Sequence, residues 1–142
     1  MAEKRTTFVV IPYQSVGDLS FGMERDEVRE LMGEFHVIPQ GTYDTNSADS
    51  FYDNAIDCYY NKNNRFFGIV IMNKYSVVLD DKTIMPSSEK DFAAMFADAI
   101  LEYDGENMTW VPSIGVTAYN YDEEVSSLTI GSKEFYGDII KQ

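Results

Sequence analysis

A chain of 142 residues can bury one core without metals or disulfides, and 44% apolar with 14% aromatic content excludes a disordered or low-complexity protein. Its 24 acidic residues against 11 basic ones leave a formal net charge of −13, which repels nucleic acid and anionic membrane surfaces and speeds encounter with a basic partner. The same charge also serves solubility alone.

Residues 7–11, Thr7 to Ile11, have strand composition and stop at Pro12, which cannot donate to a ladder. From Met23 to Met32 the pattern becomes helical, with Val28, Leu31 and Met32 on one face, Arg25, Arg29 and Glu30 elsewhere, and Gly33 as the stop. Residues 40–50 hold almost nothing apolar and read as a surface loop. Phe51 to Tyr60 and Arg65 to Met72 flank four polar residues and predict a hairpin, with Tyr75 to Leu79 as a further strand.

Ser88 is placed to cap a second helix, because Phe92, Met95, Phe96, Ala99 and Ile100 repeat at helical spacing up to about Tyr103. Ile114 to Tyr121 and Val125 to Ile130 predict a last hairpin around Asp122, Glu123 and Glu124. The tail from Gly131 is short and mixed. The expected fold class is α+β: one domain over residues 1–142, with a single antiparallel sheet and two helices packed on one face. The halves can also be read as two αββ repeats, 17–80 and 86–136, on the faint echo between Ile56–Tyr59 and Val116–Tyr119; chance explains that echo too.

Chemistry has little to work with. His36 is the single histidine and Cys58 the single cysteine, and Cys58 alternates with Ile56 and Tyr60 as a core residue would. Two such residues cannot make structural zinc, so no metal or other cofactor is expected. Residues 44–49 begin like a calcium loop but lack its glycine and its closing glutamate. Nucleotide phosphates have no glycine-rich cradle. Asp80–Asp81 and Glu123–Glu124 would need to face each other across a bond to serve a hydrolase, whereas adjacent acids in a turn read as solvated charge.

An unpaired Cys58 fits a reducing, cytoplasmic compartment, and no signal peptide or membrane span is evident, so the Asn107 sequon carries no weight. What remains is a surface of acids and tyrosines. Strand alternation sends Thr117, Tyr119 and Tyr121 away from Ile114, Val116 and Ala118, beside Asp122, Glu123 and Glu124; Asp57 and Tyr59 likewise oppose Ile56 and Cys58. These seven residues, Asp57, Tyr59, Tyr119, Tyr121, Asp122, Glu123 and Glu124, form the expected surface for a basic protein partner. The plainer reading is tyrosines lining an ordinary sheet face.

Gly22–Gly33 resembles the G-M-[ST]-x-x-E-V-x-x-x-[LM]-G segment of many small bacterial α+β proteins, including the β-lactamase inhibitor protein type, with Glu24 where Ser or Thr is usual. The order of elements and the closing hairpin resemble small cytoplasmic immunity proteins of bacterial polymorphic-toxin systems. That resemblance implies a non-enzymatic inhibitor of a cognate basic toxin or enzyme. An accessory or small-ligand-binding domain is the alternative, with a carboxylate-dependent hydrolase as a third option.

Overall fold

The computed structural model describes residues 6–39, 46–102 and 107–140. About half of the chain is strand, and among the described residues the helices are three and short. β1 (Thr7–Ile11), β2 (Ser15–Val16) and β3 (Leu19–Ser20) precede α1 (Arg25–Met32), then β4 (Phe35–Ile38), β5 (Ala48–Phe51), β6 (Ile56–Tyr60) and β7 (Phe66–Met72). β8 (Ser76–Leu79) and β9 (Lys82–Met85) lead to α2 (Glu89–Ala94), then β10 (Ile100–Glu102), β11 (Met108–Val111), β12 (Val116–Tyr121), β13 (Glu124–Gly131) and α3 (Lys133–Ile140).

These strands make two sheets, which corrects the expected α+β class with one sheet under two helices. One sheet runs β3-β2-β1-β8-β9 and the other β10-β11-β12-β13-β7-β6-β5-β4. Between them lies the main core: Phe8, Val10, Val77, Ile84 and Met85 from the smaller sheet meet Ile56, Cys58, Ile69, Ile71, Leu128 and Ile130 of the larger. The apolar face of the large sheet is thus covered mainly by strands. The helix-plus-hairpin order expected of each half is not the order found, since α1 and α2 are each followed by four strands of the large sheet.

Three misread stretches explain the difference. The predicted second helix ends at Ala94, because Asp98 accepts the Ser113 N–H at 2.7 Å and its hydroxyl at 2.9 Å, and Ile100–Glu102 then pair with β11. The run Tyr75 to Leu79 gives β8, but β8 lies parallel to β1 in the other sheet. The supposed loop contains β5, buried throughout despite Asp49 and Ser50, while its residues 40–45 lie outside the described residues.

The two halves of the large sheet share one plan. Each is a four-strand meander behind a short helix, and they meet through β7 and β13, where Val70 faces Thr129 between Ile69–Ile130 and Ile71–Leu128. The isolated bridge Glu24–Arg65 in one half matches Ser88–Glu124 in the other. Arg25 N–H to the Asn64 carbonyl, 3.3 Å, matches Glu89 N–H to the Glu123 carbonyl, 2.9 Å. Even the register shifts correspond, falling between Tyr59 and Tyr60 in β6 and between Tyr119 and Asn120 in β12. Counting the β2–β3 and β8–β9 hairpins, each half reads ββαββββ where αββ was expected.

Candidate functional site

The β12–β13 hairpin closes through a two-residue loop, Asp122 and Glu123, between the paired Tyr121 and Glu124. Both loop residues have positive φ, 52° and 66°, as a type I′ turn requires if it is to follow the twist of its strands. Gly, Asn and Asp take that conformation most cheaply, so Asp122 suits its place while Glu123 is held against its preference. The restraint comes from the segment before α2: Glu89 N–H binds the Glu123 carbonyl, and Val125 N–H binds the Ser87 carbonyl at 3.0 Å. Ser88 in turn caps α2 through the Asp91 N–H at 3.0 Å. At the apex Tyr121 is 78% exposed, beside exposed Asp122, Glu123 and Glu124.

Tyr121, Asp122, Glu123 and Glu124 are therefore together, with half-buried Tyr119 two residues down the same strand. Asp57 and Tyr59 lie apart from them. Asp57 stands in a row across the large sheet, Trp110–Thr117–Thr129–Val70–Asp57–Ser50–His36, and its Oδ1 is buried without a hydrogen bond. Tyr59 is half-buried, its ring 6.2 Å from that of Phe135 on α3. α3 covers this face because Gly68 and Gly131 leave room for the Phe135 ring: a Cβ on either would approach it within 2.6 Å and 2.4 Å. The tail read as short and mixed is thus a lid over the sheet, anchored further by the Tyr136 hydroxyl donating to the Thr129 carbonyl at 2.8 Å.

The strongest electrostatic feature lies elsewhere. Asp49 is fully buried and accepts five hydrogen bonds: Arg25 Nε and Nη2 at 3.2 and 2.7 Å, Arg29 Nε and Nη2 at 2.7 and 2.9 Å, and the Tyr60 hydroxyl at 2.9 Å. Burial alone would raise its pKa, but the bonds from Arg29, Arg25 and Tyr60 prevail and hold it below the ordinary value. Burial, with Cys58 and Asp49 nearby, pushes the Tyr60 hydroxyl up, and burial pushes the Cys58 thiol well up, so both stay protonated at neutral pH. This network clamps α1 onto β5 and β6. Its sequence signal was the four-residue spacing of Arg25 and Arg29, which places both on one helix face.

Among the described residues no group of three or more His, Cys, Asp or Glu side chains could hold a metal ion, and no helix is long and apolar enough to cross a membrane. Asp80 and Asp81 form a second two-residue loop with positive φ, and both are exposed. No family model matches this chain, and no curated protein or solved structure matches it either.

Proposed function

We propose that the chain works by binding a basic protein partner, without chemistry of its own, and that contact begins at the Tyr121–Glu124 tip. One observation carries the reading: an almost fully exposed tyrosine stands beside three carboxylates on a turn whose central residues are both left-handed and whose back is tied to Ser87–Glu89. A rigid aromatic flanked by charge offers contact area at small entropic cost. Strain held in place by surrounding structure is typical of functional positions. The net charge of −13 would steer a basic partner toward the chain. In its narrower form, resting on the sequence resemblance, the partner is a toxin or enzyme that the chain inhibits.

The test compares affinity capture by wild type with capture by the quadruple variant Tyr121→Ala, Asp122→Asn, Glu123→Gln, Glu124→Gln. A partner retained by wild type and lost by the variant is expected, with an association rate that falls as salt rises. Equal capture by both proteins would reject the tip as the docking site.

A further inference from the structure

At the opposite end of the large sheet from the tip lies an open cleft of about 700 Å³, within the range of small-molecule sites. Its lining includes the partly buried rings of Phe21 and Tyr13, Phe21 being stacked on buried Phe66 with ring centroids 5.2 Å apart. Its polar lining is Gln14, Ser113, Ser132, Lys133 and Glu134.

The walls are built in advance. Tyr13 has φ of 61°, a conformation that a bulky residue rarely adopts, and it keeps that conformation at the rim of the cleft. Its hydroxyl donates to the Pro112 carbonyl, and its ring lies so close over Gly115 that a Cβ there would sit 2.7 Å from Tyr13 Cε1. Ser113 is fixed by both oxygens of Asp98. Ser132 is fixed by its N–H to the Phe67 carbonyl at 2.9 Å and by its hydroxyl accepting the Phe135 N–H at 3.1 Å.

Two charges line the cleft. Glu134 is engaged, accepting from Asn61 Nδ2 at 2.9 Å. The Lys133 ammonium lies 5.6 Å from the centre of the Tyr13 ring and has no carboxylate partner among the described residues. One available cation above an aromatic lining matches a ligand with a flat apolar body and a single negative charge. A dianion such as phosphate would meet only that one cation, against Glu134 and a chain of net charge −13.

We infer that this cleft binds a small aromatic carboxylate, its ring against Phe21 and Tyr13 and its carboxylate on Lys133. The site is separate from the hairpin tip, so either can fail without the other.

The test is an amide-resolved NMR titration of the full chain with 1-naphthoate and, separately, with the neutral 1-naphthamide. Saturable shifts confined to Gln14, Gly22, Phe67 and Ser132–Glu134 are expected with the acid, with the amide about tenfold weaker. Lys133→Met should remove that preference for the acid and leave the remaining spectrum unchanged. Absence of saturable shifts, shifts centred elsewhere, or equal affinity of wild type for acid and amide would each overturn the assignment.

Discussion

The two halves of the large sheet follow one backbone plan and fill equivalent places differently. In the first half Asp49 and Tyr60 face Arg25 and Arg29 in a buried charged network. In the second half the corresponding places hold Thr109 and Asn120, joined by a neutral bond from Asn120 Nδ2 to Thr109 Oγ1 at 3.3 Å, with Glu89 and Ala93 where the arginines would stand. The plan therefore closes with or without buried charge. That agrees with the general finding that replacing a whole buried ion pair costs little, whereas removing one member costs a great deal.

The largest effect should come from breaking the charged half. Asp49→Ala strands two arginines and should lower stability by roughly 3–5 kcal/mol in urea unfolding. The lowered pKa of Asp49 makes its contribution complete above the ordinary carboxylate value of 3.8 and lost as pH falls through the folded value. Wild type should accordingly lose stability below about pH 4 more steeply than Asp49→Ala does. An equally steep acid limb in both proteins would show that Asp49 is not the group responsible.

Gly131→Ala tests the lid that belongs to neither half's shared plan. The added Cβ strikes the Phe135 ring, so a loss of roughly 1–3 kcal/mol is expected, with faster amide exchange in α3 than elsewhere. Uniform exchange would mean that α3 does not depend on this contact.

Thr109→Val removes the neutral half's acceptor and should cost about 1–2 kcal/mol, well short of Asp49→Ala. A loss as large as that of Asp49→Ala would erase the contrast between the halves. The smallest change should be a gain: Glu123→Gly relieves a left-handed residue and should stabilise the chain by about 1 kcal/mol in the same assay. If the tip docks a partner, that more stable variant should also capture less of it.

How much of this was legible in the chain varied with the kind of signal. Val28, Leu31 and Met32 marked α1, and the Asp122–Glu124 turn marked its hairpin, because both depend on near neighbours. β5 was hidden because Asp49 is polar, and only Arg25, Arg29 and Tyr60, distant in sequence, make its burial tolerable. α2 was overextended because Met95, Phe96 and Ala99 keep helical spacing and pack on the core beyond its end, while Asp98 is held by Ser113. The echo between Ile56–Tyr59 and Val116–Tyr119 falls on β6 and β12, the third strands of the two meanders, but in an αββ frame it had no register to support it. The grouping of the tip was local and readable. The cleft, drawn from five separated segments, had no sequence signature.

Having two halves of one plan in a single chain also sets a valency. A dimer of identical halves would present every docking turn twice, and a partner with two sites could be linked into chains. Here the counterpart of Asp122–Glu123 is Asn61–Asn64, which carries Lys62 and no acid. If the tip is the docking site, each molecule offers it once and in one orientation, so the complex should form at one to one and stop there.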